Sequence, residues 1–296
     1  MTVLSASSVT WRGLTFVGSR GDGSRPWFDT IEGWEELPDT RRDSTPRPGN
    51  HGSFDSAVWS DERVVVLSGA CMSATDRDAQ LMALSSVMTL GGSGPEDLTV
   101  THAGRTLTAG ARLKRFKAPP GRDWASGRFT WAVEWACPDP LRYSNPVTQT
   151  TGFPVQSGGL EYDLYTDGAG VDTGFLEYGI AGASGRVTIT NLGNADAWIT
   201  YTMTGPVPAE GFEVAVVGTG QLHRFQGGIP ANSSILVDTA TGAETILMDG
   251  VSDRSGQMTR MDPFYVPANS SIELAVTNLG TFTSAVAAFT IRSGSW

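Results

Sequence analysis

Alternation of apolar and polar positions is clearest in residues 127–140. Because side chains change face at every residue of a β-strand, this alternation predicts a strand with one buried face and one polar face. Pro138 and Pro140 are expected to end this strand, since proline has no N–H to donate to a ladder. The predicted buried face carries the large apolar side chains of the segment, Phe129, Trp131, Val133, Trp135 and Cys137. Other elements must pack against this face.

Shorter patterns around this strand predict further strands and one helix. The predicted strands are residues 9–11, 14–17, 27–31, 63–67, 98–101, 105–108 and 111–117. Thr75 is followed three residues later by Asp78, the spacing of a capping box, which predicts a helix start. One face of that helix carries Leu81, Leu84 and Met88. We expect this face to cover Trp131 and Trp135.

A long polar loop, residues 35–61, separates two of the predicted strands. It is too rich in charge to form a core of its own. Loops of this length in compact domains usually have a function. We expect the loop to reach a neighbouring subunit.

In the carboxyl-terminal part, alternation returns from residue 186 in short segments separated by turn residues. The predicted strands are residues 187–189, 198–203, 212–217, 235–237, 245–248, 272–276 and 286–291. Such regular spacing is typical of an antiparallel β-sandwich. The sequence Pro-Ala-Asn-Ser-Ser-Ile occurs at residue 230 and again at residue 267, which indicates two equivalent corners. We predict a mainly β protein with a first domain at 1–145, a Gly-rich linker at 146–185 and a sandwich at 186–296.

Composition narrows the classes of function. The net charge of −10 and pI near 4.8 argue against a protein that binds nucleic acid by neutralising phosphates. No apolar run is long enough to span a membrane, and we expect no secretory signal. Cys71 and Cys137 are expected to be reduced thiols in a core. We therefore predict no specific nucleic-acid binding and no membrane contact.

Motifs that carry chemistry are absent from the sequence. It contains no His-Glu-x-x-His, Cys-x-x-Cys, Gly-x-Ser-x-Gly or Walker motif. The three histidines, His51, His102 and His223, lack the spacing of metal ligands. We predict no catalytic residue, no cofactor and no metal.

The predicted strand at 111–117 carries the strongest cluster of positive charge. Its basic residues are Arg112, Lys114, Arg115 and Lys117. One interpretation is a solvated edge strand, on which charges deter unwanted pairing. The other is a basic strip that meets an acidic patch on another copy of the chain, so these four residues are the candidate subunit interface.

Several short motifs occur together in a recognisable order. They are the residues at 33, 37–38, 42, 48 and 52, then 66–69, the capped helix, 129–140 and Tyr143, and later 158–160, 185–191, 205–206, 235–238 and 247–250. In this order the chain resembles the distal tail proteins of phages with long, non-contractile tails, particularly the minor tail proteins of phages that infect actinobacteria.

The resemblance implies a tail-tube-like first domain that forms a homohexameric ring, with a galectin-like sandwich outside it. It implies that the ring joins the tail-tube protein to baseplate or tail-tip proteins, with DNA passing through its lumen. The protein would then be a structural part of the virion tail tip, assembled in the host cytoplasm. The polar face of the strand at 127–140, with Thr130 and Glu134, is the candidate lumen face. The overall acidity suits a wall that repels DNA.

Two other classes of function stay open. A tail-tip adhesin that binds host cell-wall glycans would expose aromatic side chains on the sandwich, and a tail-associated hydrolase would need paired carboxylates across a cleft. Most large aromatic residues of the sandwich lie at core-phase positions, namely Trp198, Tyr201, Phe212, Phe225 and Phe289. We therefore expect a scaffold without strong glycan affinity.

Overall fold

The computed structural model describes residues 7–18, 25–42, 44–71, 77–89, 92, 94–154, 161–162, 176–177, 184–240, 245–263, 265–281 and 284–296. The chain divides into two compact units, Met1–Asn145 with Gly294–Trp296, and Pro146–Ser293. Each unit has its own apolar core. The predicted fold class, mainly β with one packed helix in the first part and a β-sandwich in the second, is confirmed.

The first unit begins with ten strands and contains helix α1. Strands β1–β10 are Ser8–Trp11, Leu14–Val17, Trp27–Glu32, Thr40–Arg42, Val58–Ser60, Arg63–Cys71, Glu96–His102, Arg105–Lys117, Phe129–Cys137 and Arg142–Ser144. Helix α1 spans Arg77–Val87, between β6 and β7, and a 3-10 turn at Arg122–Ser126 precedes β9. Thr75, the predicted helix cap, lies outside the described residues.

Strand β8 closes the main sheet of this unit because it pairs with two different strands. Its first half pairs with β7, and its second half pairs with β9. The hydrogen-bonded order β8-β7-β1-β2-β3-β6-β9 therefore returns to β8. A sheet closed in this way leaves no open edge along the ring of strands. The sequence pattern predicts a break near Ala109 and Gly110, but both residues pair with β7 and the strand continues through them.

The interior of the closed sheet is filled by aromatic side chains from β1, β2 and β9. The ring centroids of Trp11 and Trp135 lie 5.8 Å apart, and those of Phe16 and Trp131 lie 5.2 Å apart. Each such pair contributes about 0.5–1.5 kcal/mol beyond area burial. Leu84 of α1 is fully buried in the same cluster. The predicted packing of the helix on the core of the first unit is therefore confirmed, whereas its cover of Trp131 and Trp135 stays a prediction.

The second unit is a sandwich of two antiparallel sheets. Its strands, β11–β24, are Val147–Gly152, Glu161–Tyr162, Leu176–Glu177, Arg186–Asn191, Ala197–Thr204, Phe212–Val216, Leu222–Phe225, Ser234–Asp238, Thr245–Met248, Ser252–Asp253, Met258–Met261, Tyr265–Val266, Ser270–Asn278 and Val286–Ile291. One sheet has the order β11-β24-β15-β18-β19-β20, and the other has the order β14-β23-β16-β17-β21. Their inner faces enclose a core that includes Tyr201, Phe212, Phe225 and Phe289.

Two segments lie elsewhere than the predicted domain boundaries place them. Val147–Gly152, within the predicted linker, is β11 and pairs with β24 of the sandwich. Gly294–Ser295, within the predicted sandwich, is strand β25 and pairs with β10 of the first unit. Both segments contain few apolar residues, so the alternation of apolar and polar residues does not reveal that they pair. Residues 155–160, 163–175 and 178–183 of the predicted linker lie outside the described residues, and independent folding of the units stays a prediction.

We expect deletion of residues 294–296 to destabilise the first unit, although these residues follow the sandwich in the sequence. The deletion removes the β10–β25 ladder and the main-chain oxygen of Trp296 that accepts a hydrogen bond from buried Arg142. The expected loss is about 1–3 kcal/mol in the free energy of unfolding of that unit. Tryptophan fluorescence during urea unfolding measures it, because eight of the nine tryptophans belong to the first unit. An unchanged midpoint would contradict the prediction.

Candidate functional site

The candidate interface residues and the candidate lumen residues lie on one surface. In the antiparallel pairing of β8 with β9, Arg115 is opposite Glu134 and Lys117 is opposite Ala132. Residues directly opposite in such a pair share a face of the sheet. We call this surface the polar face; it comprises Arg112, Lys114, Arg115 and Lys117 of β8 with Thr130, Ala132, Glu134 and Ala136 of β9. The candidate subunit interface and the candidate lumen face therefore belong to the same surface.

A β-bulge keeps all four basic side chains on the polar face. The register of β8 against β9 shifts between Leu113 and Arg115, so Lys114 is the extra residue. On either side of it, Leu113 and Phe116 pack against the core. Strict alternation from Arg112 would point Arg115 inward, and the bulge re-aims it outward. The sequence pattern alone does not reveal this bulge.

Charge on the polar face is only partly neutralised. The ammonium nitrogen of Lys114 lies 3.2 Å from a carboxylate oxygen of Glu134 and 3.8 Å from one of Glu62. Arg112, Arg115 and Lys117 are exposed and form no ion pair with any residue that the structure describes. Glu134 therefore serves as a counter-ion of the basic strip, and the face is positive overall.

A concavity of about 210 Å³ lies at the end of the polar face, where β8 leaves the ladder. Arg122, Arg128 and the exposed Thr130 contribute to its lining. Neither guanidinium forms an ion pair within the described part of the chain. The concavity thus adds two positive groups to the end of the basic strip.

The acidity of the chain belongs to the second unit. Residues 1–145 contain 16 of the 21 basic residues and 17 of the 31 acidic residues, a net charge of −1. Pro146–Ser293 contains the other 5 basic and 14 acidic residues, a net charge of −9. The expectation of an acidic lumen wall rested on whole-chain charge, and it does not describe the face that carries Thr130 and Glu134.

The predicted polar loop, residues 35–61, forms a projecting arm. Strands β4 and β5 pair with each other from Thr40 opposite Ser60 to Arg42 opposite Val58. Among the described residues between Glu35 and Ser60 none is buried. The arm nevertheless exposes large apolar side chains, Leu37, Phe54, Val58 and Trp59, with Trp59 64% exposed. Such a surface on a projecting hairpin favours contact with another protein.

Arg63 holds the base of this arm against the closed sheet. Its side chain is fully buried at the start of β6. One terminal nitrogen donates to the carbonyl oxygens of Gly33, Trp34 and Glu36 at 2.7, 3.1 and 2.6 Å, and Nε donates to that of Pro140 at 2.8 Å. Burial, together with the nearby positive charge of Arg142, lowers the pKa of Arg63 to about 10.

Arg142 on β10 fastens the same turn from the other side. It donates to the carbonyl oxygen of Trp34 at 2.5 Å and to a carboxylate oxygen of Glu35 at 2.9 Å. Neither arginine was predicted from the sequence to have this role. A signal was present for Arg63, because it occupies the same alternating phase as Val65 and Leu67, which are buried.

The aromatic side chains of the sandwich that were predicted to face its core do so with one exception. Tyr201, Phe212, Phe225 and Phe289 are buried. Trp198 is only half-buried and forms an edge-on pair with exposed Tyr265, at 5.5 Å between ring centroids. The reason is phase: Trp198 alternates with buried Ala197 and Ile199 and therefore points away from the core.

Other predicted features concern metals, membranes and thiols. Among the described residues, no group of three His, Cys, Asp or Glu side chains could hold a metal ion. Within the same residues, no helix is long and apolar enough to cross a membrane. Cys71 and Cys137 are buried thiols that form no disulfide, as predicted, and burial raises the pKa of Cys137 to about 11.

Comparison with known proteins identifies a fold relative. No protein-family model matches the sequence, and no curated protein matches it. The structure is similar to the Dit protein (gp 19.1) of phage SPP1, described as a paradigm of the hub adsorption apparatus in phages that infect Gram-positive bacteria. The similarity has a TM-score of 0.64 at 12% identity and covers 97% of this chain and 98% of that chain. Two structures of the phage p2 baseplate in its activated conformation, one with Sr and one with Ca, match at TM-scores of 0.49 and 0.45, both at 12% identity over 97% of each chain.

Proposed function

We propose that this protein is a structural component of a phage tail tip, in which six copies form a ring between the tail tube and the baseplate or tail-tip proteins. The observation that carries the proposal is the fold shared with the Dit protein of SPP1 over nearly the full length of both chains. The resemblance of the sequence motifs to distal tail proteins supports it independently. In this proposal the protein is part of the virion, acts without catalysis and surrounds a lumen for DNA.

The arm supports self-assembly of the first unit. It carries exposed Phe54, Val58 and Trp59 but has no core of its own. Exposed aromatic residues of this kind are enriched in protein interfaces. Arg63 and Arg142 fix the base of the arm, so its apolar side chains would meet a neighbour in a defined orientation. We propose that the arm contacts the adjacent copy.

We expect the double substitution Phe54→Ser and Trp59→Ser to weaken self-association at least tenfold, because it removes the aromatic anchors of the proposed contact. Light scattering and native mass measurement of the purified chain would report the number of copies. Met82→Ser is the matched control, because Met82 is 73% exposed on α1, outside the arm. A ring of six that forms equally well without the two aromatics would remove the arm from the seam, and a chain that stays monomeric at all concentrations would contradict the ring.

One observation favours a glycan-binding adhesin as the second candidate. Trp198 and Tyr265 form an aromatic pair at the surface of the sandwich. Flat aromatic faces of this kind stack on the apolar faces of sugar rings, and Tyr and Trp also offer polar atoms. Titration of the chain with host cell-wall polysaccharide tests this candidate. Micromolar binding that is lost in Trp198→Ala would favour the adhesin over a pure scaffold.

A further inference from the structure

We propose that the polar face and the concavity at its end form a sequence-independent contact surface for the phosphate backbone of duplex DNA. This inference deepens the proposed function and rests on it for the choice of duplex DNA, and it assigns that ligand to one face of a single chain. It joins the basic strip of β8 to the guanidinium groups of Arg122 and Arg128.

The positive charge available to a ligand is substantial. Five cations of this surface form no ion pair with described residues, namely Arg112, Arg115, Lys117, Arg122 and Arg128. A sixth, Lys114, is held by Glu134 and Glu62. Free cations on a surface attract polyanions, and each phosphate that they neutralise releases a counter-ion.

The geometry of the ladder suits a repeating anion. Arg115 and Lys117 are two residues apart on one face of a strand, which places their Cα atoms about 6.6 Å apart. This separation is close to that of neighbouring phosphates along one nucleic-acid strand. Beyond Lys117, Arg122 and Arg128 line the concavity together with Thr130. Arginine binds phosphate oxygens with paired N–H donors, so the concavity offers a place for one further phosphate.

The residue types predict binding without sequence preference. The polar face has no Asn or Gln side chain, and its partners on β9 are Thr130, Ala132, Glu134 and Ala136. Side chains on a sheet face can touch phosphates without entering a groove, and phosphate contacts carry no direct sequence information. The predicted absence of specific nucleic-acid binding is compatible with this proposal.

An acidic surface on a second copy is the competing ligand, and the self-assembly measurement below distinguishes it from DNA. In the second unit, which carries the acidic excess, Glu213, Asp262 and Glu273 already pair with arginines. Others accept main-chain N–H bonds at turns, namely Asp196, Asp238, Asp249 and Asp253. Among the described residues, therefore, most carboxylates of that unit already hold an arginine or a turn N–H group, although the unit keeps its net charge of −9.

The test is a titration of the full-length protein with a fluorescent duplex of about 20 base pairs, at salt concentrations from about 50 to 200 mM. We expect a dissociation constant in the micromolar range or weaker. The logarithm of the association constant should fall with the logarithm of the salt concentration at a slope of about −4. Arg115→Ser with Lys117→Ser should make that slope shallower by about 2, and Arg122→Ser with Arg128→Ser should have a similar effect. Two duplexes of different sequence should bind equally.

The matched control is Arg224→Ser with Arg260→Ser, which removes the same charge from the sandwich and should leave the slope unchanged. The number of copies is measured for every variant, so that a failure of DNA binding is distinguished from a failure of the proposed ring. The proposal would be overturned if the control variant lost salt-dependent binding as strongly as the variants of the polar face. Absence of binding by the unmodified protein would also overturn it, as would binding of inorganic polyphosphate without binding of the duplex. Loss of self-assembly in the face variants would assign the surface to the subunit seam instead.

Discussion

Replacing Arg63 with methionine is expected to lower the free energy of unfolding of the first unit by about 3–5 kcal/mol. The substitution keeps an unbranched apolar stem but removes the guanidinium group and every donor. The carbonyl oxygens of Gly33, Glu36 and Pro140 then lose this buried donor, while that of Trp34 keeps Arg142. Each unsatisfied buried polar group costs about 1–3 kcal/mol, and removal of the buried charge offsets part of the sum.

Urea unfolding followed by tryptophan fluorescence measures this effect. Arg115→Met is the matched control, because it removes an exposed arginine from the same sheet and should change stability by less than about 0.5 kcal/mol. The loss of stability in Arg63→Lys should lie between those of Arg63→Met and Arg115→Met, because lysine keeps a charge but offers fewer donors in one plane. A loss below about 1 kcal/mol in Arg63→Met would show that the arm base does not depend on this residue.

The sandwich is expected to lose about 3 kcal/mol of stability as pH falls from 6.5 to 4, through His223 alone. His223 is fully buried on β17, where Nδ1 lies 3.1 Å from the hydroxyl oxygen of Tyr201 and Nε2 lies 2.8 Å from the carbonyl oxygen of Asp262. Burial lowers the pKa of His223 from 6.5 to about 4. Between these values the unfolded chain takes up a proton that the folded chain does not, so stability falls as pH falls.

Hydrogen exchange of β15 and β17 peptides, measured across this pH range at constant salt, reports the effect. His223→Gln should be less stable at pH 7 but should show a flatter pH dependence, because the titrating group is gone. His51→Gln is the control, since His51 is exposed on the arm and should leave the pH dependence unchanged. A pH profile that keeps its slope in His223→Gln would assign the acid sensitivity to other groups.

Features that depend only on residues close together in the sequence could be predicted from it. Alternation in residues 129–137 predicted the buried face of β9, and that face is buried. The two Pro-Ala-Asn-Ser-Ser-Ile sequences predicted equivalent corners. In both, the asparagine adopts a left-handed conformation, Asn232 with φ 68° and Asn269 with φ 50°, directly before strands β18 and β23. These features follow from steric rules that act within a few residues.

The candidate site could be predicted only in part. The basic residues of β8 and the polar face of β9 were both recognised, but as two separate surfaces. Their union depends on the β8–β9 pairing and on the bulge at Lys114, which joins segments distant in the sequence. Likewise, whole-chain charge concealed that the first unit is nearly neutral while the second carries the acidic excess.

By itself, then, the sequence determined most of the longer strands, where the helix lies, which of their faces are apolar and that two β-rich parts follow one another. Only the tertiary structure decided that β8 closes the sheet, that Arg63 and Arg142 hold the arm, and that residues 294–295 pair with β10. The physical reason is the range of the interactions. Alternation of faces is a property of one strand, whereas strand partners, buried polar contacts and bulges depend on residues far apart in the chain.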